Sequence, residues 1–169
     1  MEPADEKVKV NTSTTNARFP LMAVATSNVT NGGAYQAIYD DGIVINPNKH
    51  SVAEGFYTTA ASGEGSHAEG GWTSASGYCS HAENYWSAAS GTASHAEGAY
   101  TDTIGSYSHA EGYNTTASGT ASHTEGYYTE ASSEYSHTEG YKTSASGTAS
   151  HAEGGYANAI GGYSHAEGY

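Results

Sequence analysis

Large aliphatic side chains all but vanish from this 169-residue chain after its first third. Beyond Val52 the only Ile, Leu or Val residues are Ile104 and Ile160. A conventional apolar core cannot be built from that segment. Cysteine is limited to Cys79, which excludes an intrachain disulfide framework. No stretch approaches the roughly 20 apolar residues of a membrane span. Cations are scarce: 5 Lys and Arg stand against 18 Asp and Glu, for a net charge of -13. That balance disfavours a nucleic-acid backbone or an anionic membrane surface as partner. The start, Met1-Glu-Pro-Ala-Asp-Glu-Lys, is acidic and lacks the apolar run of a signal peptide, so the expectation is a leaderless chain. Few aliphatics and high net charge ordinarily indicate disorder.

What is present argues the other way. The tetrapeptide Ser-His-Xaa-Glu, with Xaa being Ala or Thr, occurs eight times, beginning at Ser66, Ser80, Ser94, Ser108, Ser122, Ser136, Ser150 and Ser164. Every step is 14 residues. A strict short period means one supersecondary unit stacked many times, each copy too small to bury a core alone. Disordered tracts need no fixed spacing. The repeat also begins in altered form at Ser51-Val-Ala-Glu-Gly, with Val52 in the histidine slot. That first step is 15 residues, which places one extra residue near Ala60-Ala61. The chain stops at Tyr169, just after another Ser-His-Ala-Glu-Gly, and so reads as a fragment or as lacking its natural C-terminal part.

Ahead of the repeat the pattern differs. Residues 1–16 read as a flexible lead or a short edge strand. Residues 17–50 read as a small β module for capping or docking. Its strands are Phe19-Pro-Leu-Met-Ala-Val-Ala-Thr, Ala34-Tyr-Gln-Ala-Ile-Tyr and Ile43-Val-Ile, with turn signals at Asn31-Gly-Gly and Asp40-Asp-Gly. Residues 51–169 form the repeat array.

Two short strands fit into 14 residues, each closed by a glycine turn. Alternation sorts their faces. In the first strand Ser, Ala/Thr and Gly share one side; His and Glu share the other. In the second, the Thr slot (Thr73, Thr101, Thr115) and the Ala slot (Ala75, Ala89, Ala117) share a side with Gly. The slot between them varies widely, from Ser74 to Asp102 to Glu130, and reads as solvent-facing. Small residues then fill a flat interior. Roughly eight coils at about 4.8 Å each give a rod near 40 Å. So thin a roll is marginal alone, which implies side-by-side association, most simply as a trimer that buries the His/Glu face.

At these residues the chain resembles a known family. The unit Ser-Xaa-Ala-Xaa-Gly followed by Xaa-Xaa-Thr/Ser-Xaa-Ala-Xaa-Gly resembles the head repeat of trimeric autotransporter adhesins of the YadA type, over about Ser51 to Tyr169. The resemblance implies an all-β fold: a left-handed parallel β-roll, or solenoid, assembled as a homotrimer. It places the His and Glu slots at the trimer interface, where that family carries apolar residues. Val52 keeps the family pattern; His67 through His165 depart from it. The interface ladder so implied is Val52, Glu54, His67, Glu69, His81, Glu83, His95, Glu97, His109, Glu111, His123, Glu125, His137, Glu139, His151, Glu153, His165 and Glu167. Histidine-rich Ser-His-Ala-Glu-Gly repeats also resemble those in tail fibres and appendages of phages. An acidic, leaderless start suits assembly in the cytoplasm and favours that version.

The expected function is therefore that of a structural and attachment protein: a trimeric fibre or appendage segment of a phage tail or related injection device, located in the virion. The alternative is the head of a bacterial surface adhesin that binds host matrix or glycans. Partners would be the homotrimer, other tail proteins through the N-terminal module, and a host-surface glycan or protein. Nucleic acid and membrane insertion are not expected.

The chemistry-bearing candidates are weighed the same way. His and Glu are good zinc ligands, but buried His and Glu also satisfy one another across an interface. Successive rungs look too far apart for one ion, so the structural reading is preferred, with no metal and no cofactor. A histidine seam should weaken the trimer as pH falls from neutral toward about 5, or do the opposite where ionised Glu stabilises the charged imidazole. Trp72, Trp86, Tyr100, Tyr128 and Tyr156 share an outward slot, with Tyr85, Tyr113, Tyr127 and Tyr141 beside it. They are candidate receptor contacts, or rings that cover the turns and pack between subunits. No catalytic residue is assigned, because Ser66 and His67 face opposite ways and regular repetition is the opposite of one prepared site. Cys79 reads as a packing residue.

Overall fold

The computed structural model describes residues 43–46, 48–58 and 62–169. The flexible lead, the first two strands of the N-terminal module, both its turn signals and the extra residue near Ala60-Ala61 lie outside the described residues.

Within them the chain is an all-β parallel solenoid of about eight turns and contains no helix. The long strands are β1 (Ile43–Asn46), β2 (Ser51–Phe56), β3 (His67–Gly71), β5 (His81–Ala82), β7 (His95–Ala99), β9 (His109–Tyr113), β11 (His123–Tyr127), β13 (His137–Thr138), β15 (His151–Glu153) and β17 (His165–Glu167). They form one ten-stranded sheet in that order. The short strands, from β4 (Ser74–Ala75) through β16 (Asn158–Ala159), form a seven-stranded sheet. Pairing is parallel throughout except at β1, which runs antiparallel to β2, with Ile45 opposite Val52. The strand expected at Ile43-Val-Ile thus joins the roll's own sheet and covers the outer edge of β2.

Register follows the repeat residue for residue. His95 pairs with His109, Ala96 with Ala110 and Glu97 with Glu111. Val52 pairs with His67 and Glu54 with Glu69, so the 15-residue step is absorbed without a shift of face. A one-residue slip would turn every side chain over.

The interior is built from small side chains, as alternation requires. Ala68, Ala82, Ala96 and Ala110 are buried from one sheet; Ala75, Ala89, Ala117 and Ala131 from the other. Thr73, Thr101, Thr115 and Thr129 are buried beside them. The repeated serine bonds locally: Ser66, Ser80, Ser94 and Ser108 each donate from Oγ to the carbonyl three residues back, at 2.6–2.8 Å. Buried threonines differ. The Oγ1 atoms of Thr73, Thr101, Thr103, Thr115 and Thr129 are closed off without a hydrogen-bond partner.

The corners depart from the expectation that glycine makes the turns. In each regular coil two non-glycine residues are left-handed. One set is Trp72, Trp86, Tyr100, Asn114, Tyr128, Lys142 and Tyr156; the other is Cys79, Ala93, Tyr107, Ala121, Tyr135, Ala149 and Tyr163, all at φ between 51° and 60°. Positive φ in a bulky residue costs about 1–3 kcal/mol and persists only when the surroundings impose it. Here the hydrogen-bond pattern imposes it. Strand amides donate forward to the next coil, as His81 N does to Ser94 O at 2.9 Å. Corner amides donate backward to the previous one, as Trp86 N does to Gly71 O at 2.8 Å and Ala93 N to Tyr78 O at 2.7 Å. The left-handed residue turns its peptide over and ties each coil to both neighbours. Glycine serves another end at Gly77, Gly91 and Gly105. A Cβ there would sit about 2.0 Å from the carbonyl oxygen of the same glycine one coil on. These glycines ease the close stacking of the coils; Ser133 stands in the same slot after Gly119.

Candidate functional site

Two features run the length of the roll on its outer surface: a seam of histidine and glutamate, and a stripe of aromatic rings.

The seam arises because His and Glu sit two residues apart on the strands of the ten-stranded sheet, with their side chains opposite the buried Ser and Ala. In-register pairing stacks the imidazoles. Centroids from His67 through His151 are 4.7–5.0 Å apart, and most neighbouring rings lie within 16° of parallel. The last pair, His151 and His165, turns edge-on at 74°. Glutamates reach across to the rings. His95 Nε2 lies 3.1 Å from Glu83 Oε1 on the preceding rung and 3.7 Å from Glu97 Oε2 on its own. His67 Nε2 is 3.5 Å from Glu54, and His165 Nε2 is 3.2 Å from Glu153. The side chains are half-buried, with His95 35% exposed and Glu83 23%. Yet the Nε2 atoms of His81, His109, His123, His137 and His151 are closed off from solvent and lack a hydrogen-bond partner. The seam is therefore crowded and incompletely satisfied within one chain.

Its titration follows from that crowding. Burial, then repulsion from the rings above and below, holds His81, His109 and His137 below the ordinary imidazole range. Burial and a hydrogen bond shared with Glu54 push the Glu69 carboxyl up. Burial and hydrogen bonds with Glu111 and Glu139 do the same for Glu125. Burial also pushes on Glu83, but the His95 hydrogen bond, the His81 charge and a hydrogen bond with Glu97 hold it below its usual range. Hydrogen bonds with Glu153 and Glu125 hold Glu139 low. Stacked carboxyls thus share protons: like charges in register cannot all ionise together.

One expectation needs correction. Rungs were expected to lie too far apart for a single ion. Parallel stacking instead brings groups such as His81, Glu83 and His95, or Glu111, His123 and Glu125, to within 4.8 Å of one another through their ligand atoms.

The aromatic stripe sits at the left-handed corners and the slot before them. Trp72 stacks on Trp86 with centroids 5.8 Å apart, and Trp86 on Tyr100 at 6.4 Å. Tyr113, Tyr127 and Tyr141 form a second stack at 5.1 and 5.5 Å. Edge contacts such as Trp72–Tyr85, Tyr85–Tyr100, Tyr127–Tyr128 and Tyr141–Tyr156 join the two columns. The Lys142 ammonium lies 5.3 Å from the centre of Tyr141 and 5.6 Å from that of Tyr156. The rings remain exposed, Trp86 at 48% and Tyr156 at 62%. Sequence reasoning found this slot but not its backbone. Cys79 is exposed at the opposite corner, at φ 52°, and is not packed as expected.

The repeated Ser and His face opposite ways, the serine hydroxyls being committed to backbone carbonyls. No protein-family model matches the chain, and no curated protein matches it.

Proposed function

We propose that this chain is a shaft-like segment of a trimeric fibre or appendage, of the kind carried by phage tails and related injection devices, that presents an attachment surface to a host. The observation that carries the reading is the unbroken register from Val52 opposite His67 to His151 opposite His165. A rod of identical rungs produces length and a repeated surface; it does not prepare a single reaction centre. The reading is accordingly of a structural protein with no catalytic step. The resemblance to adhesin head repeats supports a left-handed roll and a trimer in which Val52 and the His/Glu slots meet across the axis. The half-buried, partly unsatisfied seam is the face such packing would complete. The stacked, exposed Trp72, Trp86 and Tyr100 suit a sugar ring or a rigid protein contact.

A glycan array probed with the purified chain tests the attachment role. Hits that disappear in Trp86→Ala and Tyr100→Ala support it; hits that persist unchanged in both would remove the stripe from recognition. The same stripe also fits a second reading, the head of a bacterial surface adhesin. Gene neighbourhood separates the two: tail or baseplate genes favour the fibre, and a downstream barrel-forming anchor favours the adhesin.

A further inference from the structure

We propose that the seam binds divalent transition-metal ions of the zinc class. At the defining site the ion would be held by the Nε2 atoms of His81 and His95, on adjacent rungs, and a carboxylate oxygen of Glu83; groups such as Glu111, His123 and Glu125 offer one imidazole and two carboxylates instead. The site goes beyond the fibre reading and does not depend on the trimer, because all three ligands belong to one chain.

Three observations carry it. The ligand atoms of His81, Glu83 and His95 already lie within 4.8 Å of one another, and one pair, His95 Nε2 and Glu83 Oε1, is at 3.1 Å. Tetrahedral zinc with bonds of 2.0–2.2 Å requires donors about 3.3 Å apart. One edge of the site is therefore preformed; the His81 ring, stacked on that of His95 at 7° from parallel, completes it by turning out of the stack to aim its lone pair at the ion. Second, His81 Nε2 is closed off from solvent and makes no hydrogen bond, its contact with Glu69 Oε1 being 3.9 Å long. A polar atom so placed costs free energy until something satisfies it, and an ion among the three ligands does so. Third, the donor set is two imidazole nitrogens and one carboxylate oxygen. That set matches zinc with its fourth position open to water, whereas calcium and magnesium require oxygen ligands. The net charge of -13 favours cation uptake along the whole rod.

The stacking also limits occupancy. His95 belongs both to the triad with His81 and Glu83 and to the one with Glu97 and His109. One Nε2 serves one ion, so these two sites exclude each other.

The full chain, stripped with a chelator, would be titrated with Co²⁺ and followed by its visible spectrum. Zn²⁺ would then be added to displace it, and bound metal counted after gel filtration. The expected result is the intense spectrum of four-coordinate cobalt, displaced by zinc. His95→Gln should lose at least one bound ion per chain, and Glu83→Gln should weaken binding tenfold or more. His50→Asn, an exposed histidine outside the seam, should leave both readouts unchanged. Far-UV circular dichroism checks that each variant keeps the roll; if H95Q does not fold, E83Q alone decides. A cobalt spectrum of six-coordinate type in the parent, or equal zinc binding by the parent and both seam variants, would overturn the proposal.

Discussion

Replacing Gly91 by alanine should loosen the rod at one rung, and the structure gives the size of the effect. A Cβ on Gly91 would meet the Gly105 oxygen at 2.0 Å, the Gly105 carbonyl carbon at 2.6 Å and the Ile104 oxygen at 3.0 Å, against 3.4–4 Å for an ordinary contact. All three atoms are backbone, so no side chain can swing aside. Ser133 carries a Cβ in this slot three rungs on, where Ser132 N keeps its bond to Ala145 O at 3.0 Å, so the backbone at Gly91 can shift to admit one while Ser90 N keeps Thr103 O. The shift weakens the bond from Gly91 N to Thr103 O, now 3.2 Å. Overpacking costs about 1–3 kcal/mol and the one weakened bond about 1 kcal/mol net, for a destabilisation of roughly 2–4 kcal/mol. The control is Gly71→Ala. Its Cβ would meet Tyr85 Cδ2 at 3.4 Å, and Ala99 holds the same slot two rungs on. That substitution should stay within about 1 kcal/mol of the parent. Denaturation followed by circular dichroism compares the two. Equal stability for G91A and G71A would refute the argument that glycine eases the close stacking of the coils.

Other positions give further outcomes. Thr101→Val replaces a buried, unpartnered hydroxyl with a methyl group of similar shape, and should stabilise the roll by about 1 kcal/mol in the same assay; a loss of stability would show that the hydroxyl has a partner. Ser108→Ala removes a 2.6 Å bond to Gly105 O inside the roll, and should cost about 1–2 kcal/mol. Stability should also fall in mild acid. His81, His109 and His137 titrate below their ordinary 6.5 when folded, so below that pH the unfolded chain binds more protons and stability declines as pH drops toward their folded values. The glutamates partly cancel, since Glu69 and Glu125 are raised and favour the folded state at low pH, while Glu83 and Glu139 are lowered and disfavour it. Melting curves at several pH values check the sign; a melting temperature that rises from pH 7 to pH 5.5 would contradict it.

Much of this fold was legible because the repeat is unvarying. The 14-residue step fixed which residues pair, and alternation fixed which face in: Ser66 and Ala68 are buried while His67 and Glu69 are not, and Thr73 and Ala75 are buried around Ser74. The left-handed corners were not legible. Trp86, Tyr107 and Cys79 are residue types that rarely take positive φ, and only the reversal of their amide bonds between coils shows why they do. Gly77 heads a turn, as the pattern suggests, its carbonyl accepting from Ser80 N at 3.3 Å; its close approach to the carbonyl one coil away is a contact that no local pattern reveals. The seam is legible in the repeat, but not that Glu83 reaches across a rung to within 3.1 Å of His95. Side chains two residues apart on one strand are nearly as close to the next strand, because parallel strands lie about 4.8 Å apart.

In the proposed trimer this rod is completed by copies of itself along the His/Glu seam. The mass of the assembled species, measured by sedimentation or light scattering at neutral pH, tests it most directly. A mass three times that of the 17.4 kDa chain is expected, dropping to one chain in a variant that places lysine at His95, His109 and His123. A single-chain mass for the parent at micromolar concentration would contradict the account.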